Sequence, residues 1–313
     1  MEQNIREVAR LIKAMDRHLR NDLLKEKQVW SSENFARHQD GVSVMWALDE
    51  HVRAMIYSML SAGRVWATVE EKKGKIEEIF FNFDAERIIA EPPKKLEQKI
   101  KDISCGNRRI KHQMKALRGN IEKLKSFAKQ CGSIEAYYQQ YVEKDPSYES
   151  LVRALCSKEN RMVELGVPLI SEYLRNIGYD ILKPDTHIKR ILGNKILACS
   201  EHEIVPDFDV FKIIAKLARE SDMPAAEIDY ILWAYCADNY GAICTVKKPK
   251  CKCCVARDHC NRQTIVKGVN MAVIATKELL KDHPNNQDIA NLGEHLEAAN
   301  KVIVTLCENT RYL

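Results

Sequence analysis

Long apolar runs are missing from this chain of 313 residues. No segment approaches the roughly 20 apolar residues that a helix needs to span a bilayer. The first 15 residues, MEQNIREVARLIKAM, carry charges throughout and have no apolar core of the kind found in a secretion signal. These two absences predict a protein that has no membrane partner and works in the cytoplasm.

Sustained alternation of apolar and polar residues is also missing, which argues against half-buried β-strands. Apolar residues instead recur three and four positions apart, as at Val52, Met55, Ile56, Met59 and Leu60. Breaks such as the adjacent prolines at 92 and 93 fit short helices joined by loops. The sequence therefore predicts an all-α fold. Its last 50 residues predict two further helices, which we expect to pack against the first helix near residues 2 to 25.

Positive charge is spread unevenly along the chain. The net charge is only +5, yet residues 94 to 129 contain twelve Lys or Arg and three Asp or Glu. A basic segment of this kind permits a polyanionic partner, although some of its charges only form the solvated face of a helix.

The eleven cysteines are unevenly distributed as well, because five of them lie in CTVKKPKCKCCVARDHC, residues 244 to 260. In a reducing compartment, clustered cysteines indicate a metal site more often than disulfides. The spacing Cys244-x6-Cys251-x2-Cys254-x5-Cys260 lets one short segment surround a single metal centre. Cys253 is either a bystander or a substitute for Cys254.

Two metal centres fit this donor set. Tetrahedral zinc accepts four thiolates, but zinc sites are usually built from two Cys-x2-Cys pairs and this segment has one. Four thiolates equally suit an iron–sulfur cluster. The surrounding lysines and Arg257 supply cations that would offset the charge of such a cluster.

The cysteine spacing, with basic residues and a proline between the first two cysteines, resembles the [4Fe-4S] loop of the endonuclease III family of DNA glycosylases. The resemblance runs from about residue 45 to 262. It implies a helix-hairpin-helix glycosylase fold with a [4Fe-4S] cluster on the four cysteines. It also implies that Lys247, Lys248 and Lys250 contact the DNA backbone.

A second family signature lies upstream. Leu165, Gly166 and Val167 precede an apolar helix and resemble the hairpin of the helix-hairpin-helix motif. A glycine turn that leads into a helix exposes backbone N–H groups to a phosphate. The family usually has a second glycine where this chain has Pro168, which suits a first helical turn but removes one donor.

Pro184-Asp185-Thr186-His187 resembles the family's Asp-Thr-His segment. Taken alone, Asp185 before Thr186 is a good helix cap. The resemblance implies instead that Asp185 is the catalytic carboxylate, which stabilises the oxocarbenium character of the sugar and activates water. Thr186 and His187 are expected to have orienting or capping roles.

At two positions this chain differs from members of the family that also cut the strand or that insert a side chain into the DNA stack. The lysine that attacks the sugar in such relatives corresponds to Ile170 here, so base removal without strand cleavage is expected unless Lys183 reaches the site. Many family members carry a wedge glutamine where this chain has Gly63. Arg64 beside it, or Trp66, is the candidate to fill the gap in the DNA stack, although Trp66 on an apolar helix face is typical of a core residue.

The resemblance also implies the domain organisation. Residues 45–184 would form a six-helix barrel with the hairpin, and residues 1–44 and 185–313 a cluster domain with loop 244–260 and extra C-terminal helices. The predicted protein is a monomeric, nucleoid-associated DNA repair glycosylase, without lyase activity, that acts on double-stranded DNA with a damaged or mismatched base. The alternatives are a non-catalytic DNA-binding protein with the same scaffold and a zinc-stapled helical protein unrelated to DNA.

Overall fold

The computed structural model describes residues 2–24, 46–64, 66–145 and 147–308, without the side chains of 263–267 and 304–308. Throughout these residues the secondary structure is helical and no strand occurs, so the all-α prediction is confirmed. None of the described helices has the length and apolar character needed to cross a membrane. The segment 25–45, part of the predicted cluster domain and its boundary, lies outside the described residues.

The chain divides into two compact units. The central unit comprises residues 31–185 and 224–226, and the terminal unit comprises residues 1–30, 186–223 and 227–313. The assignment of these segments to a barrel and a cluster domain remains a prediction.

The central unit is a set of short helices around one long one. Its helices are α2 (Leu48–Ser61), α3 (Trp66–Glu71), α4 (Lys73–Ile79), α5 (Ala85–Ala90), α6 (Pro93–Asp102), α7 (Ile110–Cys131), α8 (Ile134–Val142), α9 (Glu149–Cys156) and α10 (Val167–Asn176). Local sequence explains several ends: Pro93 occupies the first turn of α6, and the Ser133 hydroxyl caps α8 by accepting from Ala136 N–H at 3.0 Å. Gly132 ends α7 with a φ of 87°, in the left-handed region that favours glycine.

A buried polar network connects three of these helices. The His51 ring on α2 lies 2.7 Å from a Glu135 carboxylate oxygen on α8 and 2.6 Å from the Tyr173 hydroxyl on α10. The Tyr138 hydroxyl lies 2.9 Å from that of Tyr173. Burial would raise the pKa of Glu135, but the hydrogen bond with His51 lowers it below its usual value. Because buried polar groups are costly when unpaired, this network fixes the orientation of α10.

The terminal unit contains α1 (Glu2–His18), α11 (Thr186–Ile191), α12 (Asp207–Ser221), α14 (Asn261–Asp282) and α15 (Gln287–Glu308), together with α13 (Ala225–Cys236) apart from its first two residues. Ile5, Val8 and Ile12 form the apolar stripe of α1, which packs against α12. We expected the last two helices to pack against the first helix. This prediction is wrong, because α14 and α15 pack chiefly on each other.

Candidate functional site

The predicted hairpin leads directly into α10. Gly166 is the N-terminal cap residue of this helix, is exposed, and has open space where a side chain would project. Within the described chain, the N–H groups of Gly166 and Val167 have no acceptor. Leu165 as a whole residue is only 2% exposed and its N–H donates to Met162 O at 3.3 Å, so its predicted contact with DNA would require a rearrangement of this turn. The turn therefore offers unpaired donors at a helix N-terminus, an arrangement that suits a phosphate.

Side chains of the basic helix α7 hold this hairpin in place. The Asn120 amide donates to Val163 O at 2.9 Å and accepts from Val163 N–H at 2.7 Å. Arg109, just before α7, makes a bidentate pair with Glu164 at 2.6 and 2.8 Å. This hydrogen-bonded pair lowers the pKa of Glu164. The carboxylate next to the hairpin therefore stays ionised, and the charge of Arg109 offsets it. Sequence reasoning missed both contacts, since each joins residues more than 40 positions apart.

Asp185 directly precedes α11 and is partly buried. Its N–H donates to Lys183 O at 2.7 Å across Pro184, which makes a tight turn at this point. The position immediately before a helix agrees with the prediction. Its catalytic role stays a prediction.

The ammonium group of Lys183 pairs with a buried carboxylate. It lies 3.1 Å from Glu172 on α10, and Arg175 lies 2.7 Å from the same carboxylate. Burial would raise the pKa of Glu172, but the charges of Arg175 and Lys183 lower it to about 2. Glu172 therefore remains ionised at neutral pH and holds Lys183 at α10.

Gly63 and Arg64 form a turn after α2. Gly63 has a φ of 64°, so a glutamine at this position would be strained. The Arg64 guanidinium donates to the carbonyl oxygens of Ser104, at 3.1 Å, and Gly106. In this structure Arg64 therefore connects two loops, and its predicted DNA contact requires that at least one of these bonds be exchanged.

The four predicted ligand cysteines line one cavity of the terminal unit. Cys244, Cys251, Cys254 and Cys260 face a space whose other walls are largely apolar. Cys253 is exposed and is not part of the lining, which favours its interpretation as a bystander. No disulfide involves any of these five residues. The cavity therefore selects the same four cysteines as the spacing.

Two further side chains support the cysteines. The Arg190 guanidinium on α11 lies 3.6 Å from Cys244 Sγ and also donates to the Cys244 carbonyl oxygen. The Tyr235 hydroxyl on α13 lies 3.8 Å from Cys254 Sγ and accepts from Val255 N–H at 3.1 Å. Arg190 supplies positive charge, and Tyr235 fixes the backbone beside Cys254.

The thiols differ in acidity. A hydrogen bond with Cys236 and the charge of Arg190 lower the pKa of Cys244 to about 6, although burial opposes them. Burial raises the pKa of Cys254 to about 11. Because metals bind thiolates, loading a metal here would release protons from the less acidic thiols.

The donor set can be compared with both candidate metal centres. Within the described residues, no three His, Cys, Asp or Glu side chains are placed to hold a single ion. Tetrahedral zinc with bonds of about 2.3 Å needs sulfur atoms only about 3.8 Å apart. A four-iron cluster instead binds each cysteine through a different iron and so takes a wider ring of thiolates. The four cysteines, the apolar walls and Arg190 are compatible with such a cluster, and the choice between the two metal centres stays a prediction.

The basic residues of the cysteine loop are on its outer side. Lys247, Lys248 and Lys250 are exposed, whereas Pro249 between them lines the cavity. The loop is anchored by Lys250 N–H, which donates to Ile243 O at 2.8 Å, and by Lys248 N–H, which donates to the Thr245 hydroxyl at 3.2 Å. The segment that would enclose a metal thus also presents lysines to solvent.

Comparison with known families supports the DNA glycosylase class. Residues 41–186 match the family model of methyladenine glycosylases. The matched region contains Arg64, the hairpin and Asp185 and ends before the cysteine loop, so it does not test the endonuclease III-like resemblance. No curated protein and no solved structure matches the chain significantly.

Proposed function

We propose that this protein is a monofunctional DNA glycosylase that removes an alkylated purine from double-stranded DNA and leaves an abasic site. The observation that carries the proposal is the similarity of residues 41–186 to methyladenine glycosylases, because this region ends just after Asp185. Alkylation of a purine ring nitrogen makes the base cationic and a good leaving group. Such a reaction needs little more than a carboxylate and a water molecule.

Asp185 is the residue to which we assign the chemistry. An ionised carboxylate beneath the sugar stabilises the positive charge that develops as the glycosidic bond breaks. The same carboxylate accepts a proton from the attacking water. The water oxygen bonds to the sugar carbon while the bonding electrons leave with the base.

The hairpin and the lysine loop would bind the DNA backbone. The N–H groups of Gly166 and Val167 suit one phosphate, and Lys247, Lys248 and Lys250 suit others. The target base must leave the duplex at a cost of a few kcal/mol, which damage to the base reduces.

Two observations favour base removal without strand cleavage. Ile170, at the position of the lysine that attacks the sugar in bifunctional relatives, is fully buried and apolar. The other candidate nucleophile, Lys183, is paired with Glu172. An ammonium group held by a buried carboxylate is a poor nucleophile, since attack needs the neutral amine.

We further propose that Cys244, Cys251, Cys254 and Cys260 hold a [4Fe-4S] cluster, as the resemblance of their spacing to the endonuclease III family implies. A bound cluster would connect the four cysteines and fix the conformation of the loop. Its lysines would then be held in position to contact the DNA backbone. Arg190 would offset the negative charge of the cluster, and Tyr235 would orient Cys254.

The proposal is tested by treating end-labelled duplexes that carry an N-alkylated purine, an oxidised pyrimidine, a uracil or a mispair with the purified protein. Each sample is divided and analysed with and without hot alkali. We expect breaks on the alkylated duplex that appear only after alkali. Breaks on another lesion would identify that lesion as the substrate. Binding without breaks on any lesion would favour the non-catalytic DNA-binding alternative.

A further inference from the structure

The side chain of His18, at the end of α1, contacts a helix that supports the cysteine loop. Its ring nitrogen Nδ1 lies 3.2 Å from the hydroxyl oxygen of Tyr235 on α13, and the two rings meet edge to face at 5.9 Å. Tyr235 is fully buried, whereas His18 is partly exposed. The first helix of the chain therefore reaches the side chain that contacts Cys254.

Close packing holds the end of α1 against α13. Leu19, the residue after His18, is only 1% exposed. A Cβ atom on Gly241 would lie 2.7 Å from Leu19 Cδ2 and 3.0 Å from the carbonyl oxygen of Ala234, the residue before Tyr235. The absence of a side chain at Gly241 thus allows an approach that a larger residue would obstruct. This packing places His18 within hydrogen-bond distance of Tyr235.

Three groups meet at the Tyr235 hydroxyl. Val255 N–H donates to its oxygen at 3.1 Å, His18 Nδ1 lies 3.2 Å from it, and Cys254 Sγ lies 3.8 Å from it. A phenol has one proton to donate, so Tyr235 donates either to His18 or to Cys254. When His18 carries a proton on Nδ1, it donates to the phenol oxygen, and the phenol proton is then directed at Cys254.

A metal on the cysteines favours this direction of the hydrogen bonds. A cysteine ligand binds as a thiolate, which accepts hydrogen bonds and has no proton to donate. Hydrogen bonds with a charged partner are roughly twice as strong as those between neutral groups. A donor to the phenol oxygen also makes the phenol a stronger donor itself. The three side chains therefore form a hydrogen-bond chain that runs from His18 through Tyr235 to Cys254.

We propose that His18 and Tyr235 are positioning residues that raise the reduction potential of the metal centre on the cysteine loop. Hydrogen bonds to the ligand sulfurs are one of the factors that set the potential of an iron–sulfur cluster. Such a bond offsets negative charge, and the reduced cluster carries one more electron than the oxidised cluster. The bond from Tyr235 to Cys254 therefore stabilises the reduced form. The inference rests on the proposed [4Fe-4S] cluster and does not depend on the proposed glycosylase activity.

The test compares midpoint potentials of the purified full-length proteins, measured by spectroelectrochemistry after iron and sulfide have been quantified. Tyr235→Phe removes the hydroxyl and keeps the ring, so its potential should be more negative than that of wild type. His18→Leu removes the donor to the phenol oxygen and should lower the potential by a smaller amount. His18→Asn places an amide nitrogen close to the position of Nδ1 and should restore most of the loss seen in His18→Leu.

Tyr230→Phe is the matched control, because Tyr230 is on the same helix and its ring packs against Trp233 and Tyr240. It should keep the wild-type potential. If Tyr235→Phe does not retain iron, the two His18 variants decide the question, since within the described chain the His18 side chain contacts Tyr235 and no cysteine.

The outcomes separate this inference from the proposals on which it rests. An unchanged potential in an iron-loaded Tyr235→Phe would overturn the inference and leave the cluster proposal standing. A less negative potential in His18→Leu would do the same, because it would show that His18 accepts the phenol proton and draws it away from Cys254. Wild-type protein without iron and sulfide would overturn the cluster proposal and this inference together.

Discussion

The Lys183 ammonium lies 3.1 Å from the carboxylate of Glu172, which also accepts from Arg175. Glu172→Gln removes the charge that both cations share, so we expect the free energy of unfolding to fall by about 2 kcal/mol at neutral pH, less than for a fully buried pair because both cations are partly exposed. Chemical denaturation measures this. The matched control Glu149→Gln disrupts an exposed pair with Arg153 and should cost about 0.5 kcal/mol or less.

Glu172 also predicts a pH dependence of stability. Its folded pKa of about 2 is below the ordinary value of 4.5. The carboxylate therefore contributes its full stabilisation above pH 4.5, and this is lost as the pH falls through 2. In denaturation series from pH 6 to 2, Glu172→Gln should lose stability less steeply than wild type. Parallel curves of stability against pH for the two proteins would show that Glu172 does not cause the loss of stability at low pH.

A second prediction concerns strand cleavage. Because Lys183 is held as a charged partner of Glu172, we expect no covalent adduct when wild-type protein is incubated with abasic duplex and borohydride. An adduct that persists in Lys189→Gln but disappears in Lys183→Gln would identify Lys183 as a nucleophile and contradict the monofunctional proposal.

Asp185→Asn removes the charge assigned to the transition state while it keeps the shape of the side chain. We expect single-turnover base release to slow by about 100- to 1,000-fold. Affinity for the lesion duplex, measured by fluorescence anisotropy, should change little. The exposed Asp238→Asn serves as the control and should retain wild-type activity. Equal losses in both variants would remove Asp185 from its proposed role.

The cavity predicts which cysteines bind iron. Cys251→Ser should lose most of the iron and sulfide of the purified protein, together with its visible absorbance. Cys253→Ser should keep them, because Cys253 is exposed and does not line the cavity. Zinc in place of iron, or iron loss in Cys253→Ser, would contradict the proposed cluster.

The exposed lysines of the cysteine loop predict a salt effect. If Lys247, Lys248 and Lys250 each meet a phosphate, replacing all three with Gln should reduce the slope of log affinity against log salt by about 2.7. Binding to undamaged and alkylated duplexes should weaken alike, since phosphate contacts carry no base information. Lys281→Gln, near the end of α14, should leave the slope unchanged.

Several features of this protein follow from its sequence alone. The spacing of apolar residues predicts helices throughout because helical periodicity is a local property. The spacing of Cys244, Cys251, Cys254 and Cys260 identifies the same residues that line the cavity, since one short loop carries all four. Gly166 before an apolar helix and Asp185 before another were likewise readable from adjacent residues.

Only the tertiary structure decided the partners of these residues. Arg190 reaches Cys244 across 54 positions, and Tyr235 contacts Cys254 from a helix that has no sequence motif of its own. The pairing of Lys183 with Glu172 and the packing of the last two helices on each other were equally hidden. Periodicity specifies which side of a helix is apolar, but which surface covers that side depends on how distant segments pack together.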